Sequence, residues 1–427
     1  MLQTLRNAWK IPELRKKIIF TLLMVVIYRL GSTIPVPFIN TDILNAMFDQ
    51  SMNTTVLGLY NAMSGGALAS ANVFALSIQP YINSSIIMQL LCIAIPALER
   101  LQKEGGEEGQ KKIATITRFL TVGLGLLMGF AYYIMIKNYG VLEQTGFIYA
   151  VVIILTFTAG SAFLMWLGEQ ITEFGIGNGI SIILFTGIIS RLPATVADSI
   201  SALIAGSLKW YILLIVLVCA LLLIMFIIFI TNAERRIPVQ YSKRVVGRKM
   251  YGGQSTFLPI KVNMSGVMPI IFAGSIASLP ATIAAFFTPK AGGFWEGFVN
   301  VFDGGGVVYC VIYFLLILFF SYFYAAIQYN PIEIANNLKK NGGYIPGFRP
   351  GRPTSEFIQK VISKVTLFGA IYLGIVAVLP NVMSGITGMQ SLAIGGTSVI
   401  IVVGVALETV KTLEAQMLMR HYKGFLE

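Results

Sequence analysis

Few residues in this chain could do acid–base, nucleophilic or metal chemistry, and their placing argues against all three. The single histidine is His421, so a histidine-based triad, a zinc site or a histidine proton relay cannot be assembled inside the apolar part of the chain. Cys92, Cys219 and Cys310 each fall within an apolar run. An odd, dispersed set offers neither a disulfide framework nor metal-ligand spacing, and the three are read as packing residues. No G-x-x-x-x-G-K-[ST] phosphate loop occurs, and Gly175-Ile176-Gly177-Asn178-Gly179 lacks the spacing and strand context of a dinucleotide fingerprint. Glu169, Glu173 and Glu408 lie toward the ends of apolar runs, whereas an ion pathway is marked by titratable groups within the membrane. The chain is therefore expected not to be an enzyme, with no catalytic residue, no metal and no cofactor.

Polarity without charge sits in unusual places instead. The apolar stretch 74–97 carries Ser77, Gln79, Pro80, Asn83, Ser84, Ser85 and Gln89. Pro80 lacks a backbone donor and is expected to break or kink a helix. Asn and Gln in hydrocarbon need partners, so this stretch must face protein or water over part of its surface. Two readings fit: polar glue between packed helices, or a wall of a water-accessible path. The stretch 264–287 repeats the theme, with Pro269 and Pro280 around Ser275, Ser278 and Thr282. Residues 54–69 are too short and polar to span a bilayer and too apolar for an ordinary loop. A re-entrant segment buried among helices fits them best; a helix lying on the membrane surface would want a basic face, which they lack.

The elements that must position these residues are membrane helices. Of 427 residues 56% are hydrophobic and 12% charged, with mean hydropathy +0.77, against the quarter or so charged of a soluble domain. Runs long enough to cross about 30 Å of hydrocarbon occupy 18–34, 74–97, 113–136, 147–167, 180–197, 210–230, 264–287, 307–328, 365–383 and 392–407. The first ends in Ile34-Pro35-Val36-Pro37 without a small-residue cleavage pattern and is read as a retained helix. The net charge of +12 needs no nucleic acid. Lys and Arg concentrate in 6–17, 100–112, 235–261, 339–364 and 411–423, which together hold 25 of the 31, while the alternate loops hold Lys137, Lys209 and Lys290. Basic loops face the cytoplasm, so both termini are expected there. Arg29, Arg118 and Arg191 lie near span ends, where long side chains snorkel. Ten spans divide into two halves of five, and an odd half-count inverts the second half relative to the first.

At the level of motifs the chain resembles the SecY/Sec61-alpha family. The resemblance is carried by Pro80-Tyr81-Ile82 followed by Ser84, Ser85 and Gln89, with Ser77 where the family usually has Gly. It continues in Trp166-Leu167-Gly168-Glu169-Gln170-Ile171-Thr172-Glu173-Phe174-Gly175-Ile176-Gly177-Asn178-Gly179-Ile180-Ser181. Further matches are Arg236-Ile237-Pro238-Val239-Gln240-Tyr241, Tyr251-Gly252-Gly253-Gln254-Ser255, Pro346-Gly347-Phe348-Arg349-Pro350-Gly351 and Gly395-Gly396-Thr397-Ser398. These run from the first span to the last.

The resemblance implies an all-α membrane protein of ten transmembrane helices, in two inverted five-helix halves (1–201 and 202–427) around a central pore. It implies a channel that passes unfolded secretory proteins across, and releases transmembrane segments sideways into, the bacterial plasma membrane. The pore ring would comprise Ile82, Ile86, Ile180, Leu184, Ile271 and Ile401. A plug at about 54–70 would include Leu57, Leu59, Tyr60, Met63, Gly65, Gly66 and Leu68. An aliphatic ring suits such a pore, since it holds no charge to trap a passing chain and resists wetting when narrow; without the resemblance the same residues read as ordinary core. Asn83, Ser85 and Gln89 on the second helix and Ser275 and Ser278 on the seventh would line a lateral gate closed by weak hydrogen bonds, each about 0.6 kcal/mol.

Loops 231–263 and 329–362 read as docking surfaces, the first as a hairpin in which Ile237, Val239 and Tyr241 alternate, the second as a tip stiffened by Pro346, Pro350 and Pro353. Arg235, Arg236, Lys243, Arg244, Arg248, Arg349 and Arg352 are their candidate contacts. Implied partners are SecE-like and SecG-like small subunits, the SecA ATPase, the ribosome, the unfolded preprotein with its signal peptide, and lipid. The competing class is an ion-coupled transporter of a small solute. Replacing Arg349 with Glu is expected to impair export while the channel still inserts; normal preprotein export by that variant in vesicles would remove the docking role.

Overall fold

A computed structural model describes residues 2–48, 61, 64–144, 146–206, 210–241, 244–246, 249–251, 255–264, 266–284, 307–387 and 395–423. Every expected span coincides with a helix. In chain order the helices are α1 (Leu2–Lys10), α2 (Pro12–Gly31), α3 (Thr41–Met47), α4 (Gln79–Ala94), α5 (Pro96–Glu104), α6 (Gly106–Asn138), α7 (Phe147–Phe174), α8 (Gly179–Ile204), α9 (Trp210–Asn232), α10 (Met268–Ala284), α11 (Val307–Gln328), α12 (Pro331–Lys340), α13 (Arg352–Thr387) and α14 (Gly395–Lys423). Among the described residues α6 to α9, α11 and α13 are long and apolar enough to cross a bilayer unaided. The α4–α5 pair is bent by 100° at its junction.

Proline placement decides where these helices break. Of the break or kink expected at Pro80, the structure shows the break: the helix of the second span starts there instead of running through it. Pro80 stands in the first turn of α4, where a backbone N–H would have no intrahelical partner anyway. The second span therefore begins at Gln79 rather than residue 74, and residues 64–78 enter it through successive turns. A second, sharper break falls at Ile95-Pro96, where Ile95 is extended with φ −108° and ψ 110°, as a residue before proline prefers. Asn178 and Asn330 cap α8 and α12, each accepting from two backbone N–H groups of the first turn.

The outside of the bundle is greasy. Leu214, Leu217, Leu221, Leu222 and Phe229 on α9, and Phe119 and Leu127 on α6, are exposed; in water such surface would drive association, and in lipid it matches the solvent. Cys219 is exposed on α9 while Cys92 is buried, so Cys219 does not pack inside as expected from sequence. The inside is one large apolar cluster drawn from α2, α4, α7 to α11, α13 and α14, flanked by a second formed by α3, residues 68–76, α6 and α7.

The two basic loops fold together. Strands β1 (Glu234–Tyr241), β2 (Arg244–Val246), β3 (Lys249–Tyr251), β4 (Ser255–Lys261) and β5 (Gly343–Tyr344) form a three-stranded sheet in the order β4-β1-β5 and a two-stranded ribbon β2-β3. β1 and β4 are antiparallel, with Glu234 opposite Lys261 and Gln240 opposite Ser255. The alternation read from sequence holds: Ile237 and Val239 are buried. They share a core with Ile260, Ala335, Leu338, Ile345, Ile358 and Ile362, so the hairpin, α12, β5 and the start of α13 make one unit.

Ser77 is one of three non-glycine residues with a left-handed backbone among the described residues, with Phe38 and Ala71. It has φ 51°, a left-handed conformation that costs an L-residue about 1–2 kcal/mol and glycine little. Its buried hydroxyl has no hydrogen-bond partner among the described residues, a further cost. Ser77→Gly is therefore expected to stabilise the folded chain by about 1 kcal/mol after glycine's greater unfolded-state freedom is subtracted, read as a higher unfolding midpoint in detergent; a lower midpoint contradicts the strain.

Candidate functional site

Four helices bring the predicted ring together. Ile82 and Ile86 stand one turn apart on α4, and both are buried. Leu184 on α8, Ile271 on α10 and Ile401 on α14 are buried in the same cluster, and the half-buried Ile180 packs against it. The register of α8 is fixed at its start. Asn178 Oδ1 accepts from Ile180 N at 3.0 Å, and Thr172 Oγ1 accepts from Gly179 N at 2.9 Å. Gly177 has φ 70°, and a Cβ on Gly179 would strike the Gly168 carbonyl. The glycine-rich motif therefore works as a tight α7–α8 turn that delivers Ile180 and Leu184 to the centre. On α14, Gly404 lies so close to Val267 that an added Cβ would sit 2.6 Å from Val267 Cγ1, which holds α14 against the start of α10.

Beside the ring lies the non-helical segment. Leu57, Leu59, Tyr60 and Met63 of the expected plug lie outside the described residues. Gly65, Gly66 and Leu68 are described, and Leu68 is buried with Ser64, Ala67 and Ala69. Side chains replace the absent helix bonds: Ala69 N donates to Asn61 Oδ1 at 3.0 Å, and Leu68 N to Ser64 Oγ at 3.3 Å. Tyr28 OH donates to the Ser64 carbonyl at 3.3 Å, and Tyr132 OH to the Leu68 carbonyl. Gly65 (φ 71°) and Gly66 (φ 91°) turn the chain. A Cβ on Gly65 would stand 2.7 Å from Ser190 Oγ and 2.9 Å from the Gly187 carbonyl of α8, so the segment rests directly on the helix that supplies Leu184.

The predicted gate residues divide. α4 packs against α10, and Ser275 is buried; the Ser278 side chain lies outside the described ones. Asn83 turns toward α6, its Nδ2 3.8 Å from Met128 Sδ, while its Oδ1 and the Gln89 Oε1 have no partner among the described residues. Ser85 is half-buried. In the basic loops Arg235, Arg236 and Arg349 are exposed. Arg236 pairs with Glu234 at 2.7 Å and Arg352 with Glu356 at 3.2 Å, exposed pairs of little energetic weight. Lys243, Arg248 and the Arg244 side chain lie outside the described residues. Burial, with Lys261 beside it, holds the Lys411 ammonium below the ordinary lysine range.

Sequence reasoning missed the polar ties that hold the segment. Tyr28 and Tyr132 carried a usable signal, because a phenol inside an apolar run must find an acceptor. Arg29 donates to Ser190 Oγ at 3.0 Å, and Arg118 Nε pairs with Glu169 at 2.9 Å. Both arginines had been assigned to snorkelling; each instead finds a partner on a neighbouring helix.

With this geometry in place, comparison with known proteins is direct. A sequence profile of the SecY family matches residues 72–410. The protein translocase subunit SecY of Streptomyces galbus is 42% identical over the whole of both chains. A solved protein conducting channel superposes with TM-score 0.67 at 17% identity, covering 94% of this chain and 92% of that one. Sec61 in the canine ribosome-channel complex from the endoplasmic reticulum superposes with TM-score 0.63 at 16% identity and the same coverage. Profile and full-length identity agree with the motifs: the chain belongs to the SecY family.

Proposed function

We propose that this chain is the pore subunit of a channel that moves unfolded secretory proteins across the bacterial plasma membrane and releases transmembrane segments into lipid. The observation that carries the reading is the convergence of Ile82, Ile86, Leu184, Ile271 and Ile401 from four helices in one buried cluster, with a non-helical segment resting against α8. A ring of branched aliphatic side chains seals against ions by excluding water and yields to any passing side chain without binding it. The segment containing Gly65, Gly66 and Leu68 then acts as the plug. The seam where α4 packs against α10 then acts as the lateral gate, with Ser275 buried on the α10 side.

The clustering of Ala8, Leu14, Ile176 and Leu413 supports placing α1, the α7–α8 turn and the end of α14 on one side. That side bears the basic loops, which by the positive-inside rule is cytoplasmic. The two inverted halves, 1–201 and 202–427, meet at the ring in this reading. The relative named as a translocase subunit and the ribosome-bound Sec61 neighbour support ribosome docking on the Arg349 loop, and docking there of a SecA-like motor with SecE-like and SecG-like subunits alongside. An ion-coupled transporter fits less well: Glu169 is already neutralised by Arg118, and Glu173 and Glu408 are exposed.

Two measurements test this. A cysteine replacing Ile82 is expected to crosslink to a stalled secretory chain, whereas a cysteine replacing the outward-facing Leu222 is not; equal labelling would refute the conduit. Gly65→Val, which places a β-branched side chain at φ 71° against Gly187, is expected to displace the segment and raise the resting ion conductance in planar bilayers while export persists. Conductance at the wild-type level would show that the segment does not seal.

A further inference from the structure

A small cavity of mixed polar and apolar lining lies where the hairpin joins the bundle. It is lined by Val262, Asn263 and Met264 after β4, by Ser321 of α11, and by Thr366, Gly369, Ala370 and Leu373 of α13. Asn263, Ser321 and Thr366 are each at least nine-tenths buried. Asn263 Oδ1, Ser321 Oγ and Thr366 Oγ1 have no hydrogen-bond partner among the described residues. That is unusual for the two hydroxyls. Helical Ser and Thr in this bundle ordinarily bond to the carbonyl four residues back, as Thr117, Thr121, Thr158 and Thr172 do. Ser321 and Thr366 forgo that bond at the one place where both line a shared space.

We propose that this cavity is a binding site for a single structural water molecule. Its size matches roughly one water, and the three oxygens provide the two to four partners a buried water needs. The amide oxygen of Asn263 can only accept, so the water donates one hydrogen to it. The hydroxyls can give or take, so one accepts the second hydrogen and the other donates to the water oxygen. No carboxylate lines the space, and three neutral oxygens fall short of the six or more that calcium takes. The bound water ties the root of the hairpin to α11 and α13. The root is clamped at the same place by the backbone: Val262 N donates to the Ala233 carbonyl at 2.9 Å, and a Cβ on Gly369 would strike the Val262 carbonyl.

The sign of one substitution separates a wet site from an empty one. In an empty cavity Thr366→Val removes an orphaned hydroxyl at nearly constant shape and raises stability. Around a bound water it deletes a partner and leaves Asn263 under-satisfied. In the purified full-length chain with its co-purifying subunits, Thr366→Val is expected to lower the unfolding midpoint by about 2 °C or more. A map of the same wild-type preparation, good enough to show ordered waters elsewhere, is expected to show a peak about 2.7–3.2 Å from all three oxygens. Both results are required. An unchanged or raised midpoint, a vacant site in that map, or a peak at the shorter distances of a metal ion, about 2.0–2.6 Å, overturns the proposal.

Discussion

Hydrocarbon contains no water to satisfy a backbone amide, and this constraint governs the structure. A helix meets it alone, whereas any non-helical chain at membrane depth must be buried in protein that supplies the missing partners. Residues 64–78 meet it residue by residue. Val36 N bonds to the Ala71 carbonyl and Val73 N to the Ile34 carbonyl, tying the segment to the chain after α2. Asn72 Nδ2 reaches the Ser32 carbonyl, Asn61, Ser64 and the two tyrosines add side-chain bonds, and backbone turns such as Ser70 N to the Gly66 carbonyl add others. The aromatic bodies of these tyrosines pack on Phe74 and Phe157, so each side chain fills space and satisfies a polar group at once.

The same solvent changes what the ring can be made of. In water, burying Ile82 or Leu184 would gain about 1.5–3 kcal/mol each from the hydrophobic effect. Against lipid tails that gain largely vanishes, and shape complementarity and dispersion remain. In the proposed pore, an aliphatic collar held mainly by dispersion would close tightly when its members touch and lose little specific energy when they part. On the same helix as Ile82, Asn83 Oδ1 and Gln89 Oε1 are buried without a hydrogen-bond partner among the described residues.

The parts legible in sequence were those with a long-range statistical signature. Each apolar run read from hydropathy overlaps a helix, because about twenty apolar residues have few other uses, and alternation placed Ile237 and Val239 on the inner face of the hairpin. Local chemistry was less readable. Pro80 read as a break or a kink, and which of the two it makes depends on whether it falls in a first turn, as it does in α4. Ser77 was visible as a departure from the family motif; its backbone angle, which gives the departure its meaning, was not. Arg118 was assigned to the interface because Glu169, distant in sequence, could not be foreseen as its partner. The shared sheet of the two basic loops was hidden for the same reason: β5 is two residues long, and pairing across a hundred positions leaves no periodic trace.

That shared sheet has a mechanical consequence. β1 continues directly from α9, β4 leads into α10, and α12 with β5 bridges α11 to α13, while one apolar core and the Tyr344–Gln240 bond hold the assembly together. A load applied to either loop is therefore distributed over the ends of four helices rather than delivered to one. A partner that grips this handle would act on α9, α10, α11 and α13 together rather than on a single strand.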